Sequence, residues 1–207
     1  MRITHLTPED YIRQPWKNGG GVTTELAAQR VAGKVVWRVS IAAVEQAGPF
    51  SDFSGFDRAI MLLRGNGMVL SFGGAGARSL TQPGEQRIDQ PYVPYRFAGE
   101  WRTHCRLIDG PVEDFNFMFA RQLARGQLRV LGLTEIVQSQ SLSDGDAIVY
   151  CLQAAATITA GARAIILNPG DTLRLDECRG ESLAMAASRL SAHVAIMHVG
   201  PPGEPVN

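Results

Sequence analysis

The 207-residue sequence has no CxxC pair, no surplus of either charge and no apolar run near the roughly 18 residues of a membrane span. Each absence excludes something. Cys105, Cys151 and Cys178 are too few and too scattered for a disulfide framework or a zinc site, and they point to a reducing, cytoplasmic setting. Twenty basic residues balance twenty acidic ones without a basic stripe, so the electrostatic footprint of a nucleic-acid or anionic-membrane partner is missing. A small-molecule partner is the expectation that remains. The stretch MRITHLTPED has no apolar segment of signal-peptide length. Helix signals are scarce too: only LTPEDY, with Thr7 placed to cap and Pro8 at the first helical position, suggests a short helix.

What is present is alternation. In VVWRVSIAAV, residues 35–44, Val35, Trp37, Val39, Ile41 and Ala43 share one face of a strand, and Val36, Arg38, Ser40, Ala42 and Val44 share the other. AIMLLRGNGMVLSF reads as two strands joined at Gly65-Asn66-Gly67, a hairpin signal. The same pattern of short strands and Gly/Pro turns continues to AHVAIMHVG, which predicts an all-β sandwich or barrel. GARSLTQPGE at 76–85 returns as GARAIILNPGD at 161–171, each after a hairpin-like segment. That suggests a duplicated β unit, although Pro-Gly followed by an acidic residue is also common turn chemistry.

PWKNGGGVTTE, residues 15–25, sets three glycines directly after Trp16, Lys17 and Asn18. A phosphate cradle needs a strand before its glycines and a helix after them, and neither flank fits. This stretch, with WRVSIAAVEQAGPFSDFSGFDRAIMLLRGNG and GPVEDFNFMFAR, resembles the HutD/Ves family of bicupins, strongly over residues 11–121 and more weakly beyond. The resemblance implies an all-β fold of two tandem cupin-like β-barrels. One would span residues 1–110, including an N-terminal arm, and the other 111–207. It further implies an association with histidine utilisation and no established catalytic activity. A homodimer through strand edges is an assembly it allows.

Cupins usually hold a metal with histidines and a carboxylate. Here PFSDFSGFDR and QPGEQRIDQPYVPYRFAG, where those ligands would fall, contain no histidine, and His5, His104, His193 and His198 are scattered. No metal and no cofactor are expected. In the family reading the glycines let an arm fold back closely, presenting Lys17 and Asn18 at a barrel mouth; alternatively Trp16 plugs the barrel end and Lys17 is solvated. Arg38 and Ser40 face together into solvent or a lumen. A lumen arginine needs a carboxylate, whether Glu25, Asp57 or a small-molecule acid.

Arg58 follows Phe50, Phe53 and Phe56, which can wall a pocket or belong to a core. In DFNFMFAR, Asp114, Asn116 and Met118 share a face opposite Phe115, Phe117 and Phe119, and Asn116 can orient a ligand by donating and accepting. Acid–base work would fall to Glu25 or Asp114 if burial raises a carboxyl pKa. The ligand-binding candidates are thus Trp16, Lys17, Asn18, Glu25, Arg38, Ser40, Phe53, Arg58 and Asn116. Three readings follow. The first is a metal-independent binding or sensing protein for a small anionic metabolite, with urocanate or a formylated or formimino glutamate as candidates. The others are a metal-independent isomerase, lyase or hydrolase of a small carboxylic acid, and a structural or assembly protein.

Overall fold

In the computed structural model, residues 1–73 and 84–202 are described. The chain runs β1 (Arg2–Leu6), a 3-10 turn (Pro8–Asp10), β2 (Ile12–Pro15), β3 (Gly21–Val31), β4 (Lys34–Val44), β5 (Gly48–Pro49) and β6 (Phe56–Arg64). Next come β7 (Met68–Phe72), β8 (Glu85–Ile88), β9 (Tyr95–Ala98), β10 (Thr103–Leu107), β11 (Val112–Ala120), β12 (Arg125–Thr134) and β13 (Gln138–Ser141). The series ends with β14 (Gly145–Gln153), β15 (Ala156–Ala160), β16 (Arg163–Leu167), β17 (Thr172–Cys178), β18 (Ser182–Ala187) and β19 (Ser191–Gly200). The one predicted helix is a 3-10 turn, the only helical element among the described residues. Thr7 stands at its cap and donates its backbone N–H to Asp10 Oδ2 at 2.8 Å.

Two compact units result, Ile12–Gln122 and Met1–Tyr11 together with Leu123–Asn207, here the continuous and the split unit. The continuous unit holds the sheets β2-β3-β4-β11-β6-β9 and β5-β10-β7-β8. The split unit holds β1-β17-β14-β19-β12 and β13-β18-β15-β16. Strands β4 to β11 therefore recur, in the same sheet orders, as β12 to β19. The additions differ: β3 and β2 extend the continuous unit beyond β4, and β1 extends the split unit beyond β17. Peptide 76–85 lies almost wholly outside the described residues, so the duplication is read from the sheet orders rather than from that repeat.

This division departs from the expected one at residue 110. Strand β11 sits between β4 and β6 in the continuous unit, pairing Asn116 with both Ser40 and Ile60, so residues 111–120 belong with what precedes them. Residues 2–6 pair with residues 172–176 and so join the split unit. The expected hairpin at 65–67 is also corrected. β6 and β7 are joined there but pair in different sheets, because the turn is a corner in which Gly65 and Gly67 take positive φ. A Cβ at Gly65 would stand 2.5 Å from the Pro111 carbonyl oxygen.

Alternation positions the site. In the continuous unit Ala42, Val44, Ile60, Leu62 and Val112 form one buried cluster with Leu70, Phe72, Ile88 and Phe97 of the neighbouring strands. Further along the same strands, in the same side-chain register, stand Arg38 and Ser40 on β4, Arg58 on β6, and Asp114 and Asn116 on β11. One face of one sheet thus changes from apolar to charged. Trp37, Val39, Phe115, Phe117 and Phe119 occupy the other face and are buried.

Candidate anion-binding cavity

A cavity of about 490 Å³ opens on the charged end of that face, within the range of small-molecule sites. Of the nine sequence candidates, Trp16, Lys17, Asn18, Arg38, Ser40, Phe53, Arg58 and Asn116 line it. Glu25 is the exception. It accepts two hydrogen bonds from Arg30, of 2.8 and 3.0 Å, and lies outside the lining although it stands opposite Ser40 across β3 and β4. Asp57 is likewise no partner for Arg38, since it pairs with Arg121 at 2.9 Å.

The glycine-rich turn builds the rim. Trp16 donates from Nε1 to Thr23 Oγ1 at 2.8 Å and packs on the apolar cluster, which holds the β2–β3 turn. Asn18 Oδ1 accepts from the Gly20 N–H at 3.1 Å. A Cβ on Gly21 would come within 2.3 Å of the Ala43 carbonyl oxygen, so only glycine lets the hairpin lie against β4. Lys17 is exposed beside it. Trp16 thus anchors the turn, and Lys17 and Asn18 line the cavity beside it.

Arg58 is 6% exposed, with its guanidinium carbon 5.3 Å from the Phe50 ring centre, 5.2 Å from Phe53 and 4.8 Å from Phe97. Arg38 lies 5.5 Å from Phe53. Aromatic rings this close stabilise the cations without satisfying their N–H groups, which still call for acceptors. Phe56 meets Phe53 edge-on at 6.4 Å outside the lining, and Phe97, also outside it, packs against Arg58 from the core side. Nothing in the sequence marked Phe97 beyond its place in an alternating YRFA.

One chain of hydrogen bonds crosses the site. Arg58 Nη2 donates to Asn116 Oδ1 at 2.8 Å, and Asn116 Nδ2 donates to Asp114 Oδ1. The Nε atoms of Arg38 and Arg58 and the Oδ2 of Asp114 are buried with no hydrogen-bond partner. Among the described residues neither arginine forms an ion pair. Burial pulls the Arg58 guanidinium down to about 10 against the pull of Asp114, and Arg38 adds to the drop. Burial also lowers Arg38 from its ordinary value. Desolvation pushes the Asp114 carboxyl up to about 7, with Arg58 opposing.

The metal set usual in cupins does not fit. Two guanidiniums and one carboxyl line the cavity without a histidine, and among the described residues no group of three His, Cys, Asp or Glu side chains could hold an ion. His5 binds Asp171 at 3.1 Å and His198 the Ser143 carbonyl oxygen at 2.9 Å, both in the split unit. His104 is exposed on β10, and His193 lies on β19.

Residues 8–193 match the HutD family. The chain belongs to that family. HutD relatives include an uncharacterized 21.2 kDa protein in the hutC 3' region of Pseudomonas putida, 39% identical over 60% of this chain and 62% of that protein. Protein Ves of Cronobacter sakazakii is 34% identical over 58% of this chain and 61% of its own length. These alignments thus span about three fifths of the curated relatives. Among solved structures, HutD from Pseudomonas fluorescens, obtained in a formate condition, is 27% identical, with a TM-score of 0.77 over 96% of this chain and 100% of that one. A conserved protein of unknown function from Pseudomonas aeruginosa reaches 0.86 at 28% identity over 96% of this chain and 99% of that chain. A cupin 2 conserved barrel domain protein from Leptotrichia buccalis, 10% identical with a TM-score of 0.56, covers 87% of this chain and 89% of that one, and shares the fold. The fold of this HutD-family chain is all-β and cupin-like. No helix among the described residues is long and apolar enough to cross a membrane.

Proposed function

We propose that the cavity binds a small carboxylate and that the chain is a metal-independent binding or sensing protein associated with histidine utilisation. One observation carries this: two guanidiniums at a single cavity, each with a buried Nε that no protein group satisfies. Neighbouring cations in a poorly hydrated site raise each other's energy, and an anion between them relieves both the repulsion and the missing hydrogen bonds. The hutC-region relative supports the histidine-utilisation setting. The formate condition of the P. fluorescens structure makes formate a sensible first probe, beside urocanate and formylglutamate.

At about a hundred times its dissociation constant, a ligand stabilises the fold by about 2.7 kcal/mol. For a chain of this size the melting temperature should rise by roughly 5 to 10 °C. Arg38→Ala should remove most of that shift and leave the ligand-free protein folded, because an unpaired, half-buried charge contributes little to stability. If Arg38→Ala unfolds the protein, or no acid shifts the melt, the reading fails. Elemental analysis of the purified protein should find no stoichiometric transition metal; one metal per chain would count against the metal-independent part.

A second reading has its own support. A carboxyl held near neutral pH at a cavity is what proton transfer on a small acid requires. Turnover of any acid in the panel, lost in Asp114→Asn, would establish a metal-independent isomerase, lyase or hydrolase instead.

A further inference from the structure

Asn116 has a fixed orientation. Its Oδ1 accepts from Arg58 Nη2, so its amide nitrogen faces Asp114 and donates to Oδ1. The donors therefore run in one direction, from the guanidinium through the amide to the carboxyl, and the series ends on an acceptor. Asp114 is completely buried, and its other oxygen, Oδ2, has no donor. Its cross-strand neighbours Ala42 and Leu62 offer none. The Cys105 thiol on β10, near enough to feel the carboxylate, donates to Met68 Sδ at 3.6 Å. Two buried Nε donors lack an acceptor, and Asp114 Oδ2 lacks any partner and needs a donor once it is ionised; all three residues line one cavity. A single bound molecule can satisfy both deficits.

We propose that Asp114 selects the occupant. The site takes a monocarboxylate that also carries an uncharged N–H or O–H, with the anionic end on Arg38 and Arg58 and the donor on Asp114 Oδ2. This rests on the carboxylate reading above and adds the chemistry of the rest of the ligand. Charge balance agrees with it. Arg58 from β6 faces Asp114 on β11, Arg38 from β4 neighbours Arg58, and the Glu25–Arg30 pair of β3 beside Arg38 cancels itself; the Cys105 thiol on β10 is pushed up to about 12 by burial and stays neutral, and Lys17 stands at the exposed rim. Two cations, one ionised Asp114 and one monoanion sum to zero in a region where net charge is expensive. A donor on Oδ2 favours the ionised carboxyl, so binding expels the proton that burial retains in the free protein. Affinity then rises with pH between about 6 and 8.

The test is calorimetry on the full chain with paired acids in which methylation removes the donor: N-acetylglycine against N-acetylsarcosine, lactate against 2-methoxypropionate, urocanate against its N-methyl derivatives. The donor-bearing member should bind about tenfold more tightly or better, since a site that hydrogen-bonds a ligand group discriminates against its absence. Titration at pH 7 in buffers of different ionisation enthalpy should show proton release with the donor-bearing acid. In Asp114→Asn the preference should fall below about threefold and the proton release should vanish. If that variant does not fold, the wild-type ratios and proton count decide alone. Equal affinities within pairs, or proton uptake, would overturn the role of Asp114 while leaving carboxylate binding intact; failure of every acid to bind would overturn both.

Discussion

The two units have the same strand order, and yet one encloses charge where the other encloses hydrocarbon. Pairing fixes the correspondence. Asp114 stands between Ala42 and Leu62, and Val194 stands between Leu131 and Cys151 in the matching strands of the split unit. By the same register Asn116 matches Ile196, Arg58 matches Ala147, and Ser40 matches Arg129. Ala147, Val194 and Ile196 lie in a continuous apolar core. Arg129 is exposed and donates to Gln140 Oε1 at 2.6 Å. The added strands supply the reason. β12 is a sheet edge, so polar side chains along it reach solvent, whereas β3 and β2 cover the corresponding edge of β4 and their connecting turn walls in Arg38 and Ser40. The same frame thus holds an apolar core in one copy and a charge-lined cavity in the other, through an added hairpin and a few polar exchanges.

The sharpest way to break the comparison is to move the charge. Val194→Asp puts a carboxyl into a core without Asn116 or Arg58 equivalents, and should destabilise the split unit by about 4 kcal/mol or more, seen as a collapse of its denaturant midpoint. The second test uses pH. The folded protein holds the Asp114 proton up to about pH 7, against an ordinary value of 3.8, so between these values the native state binds more protons than the unfolded chain. Stability from this group is therefore greatest at low pH and falls as pH rises through the window, by an amount on the order of a few kcal/mol. Asp114→Asn should flatten that part of the pH–stability curve and raise the ligand-free melting temperature at pH 8; an unchanged curve would mean that Asp114 titrates normally.

Smaller effects sharpen the role of the hairpin. Gly21→Ala forces a Cβ against the Ala43 carbonyl oxygen and should cost about 2 kcal/mol, weakening carboxylate binding in proportion to the lost order of the Trp16–Asn18 turn. Chemical denaturation with calorimetry checks both. Arg129→Ala, at the solvated counterpart of Ser40, should change stability by less than about 0.5 kcal/mol and leave binding untouched.

Alternation alone revealed the strands and the shared face of Arg38 with Ser40 and of Asp114 with Asn116, because a period of two is a local property. It could not assign strands to sheets, which is why residues 65–67 read as a hairpin when they form a corner. Nor could it foresee that Glu25, opposite Ser40, is engaged by Arg30. The family resemblance drew attention to PWKNGGG, but Phe97 as a cover for Arg58 and the orphaned oxygen of Asp114 arise from contacts between residues far apart in sequence, and these leave no mark in any one segment.

Strand β1 pairs residues 2–6 with residues 172–176. On the ribosome, at about 5 to 20 residues per second, β1 emerges on the order of 10 to 30 s before its partner exists. All the strands of the Ile12–Gln122 unit are available during that interval. The unit that carries the cavity can therefore be complete while the other still lacks its edge, and synthesis itself imposes an order of assembly that refolding of the whole chain from denaturant does not.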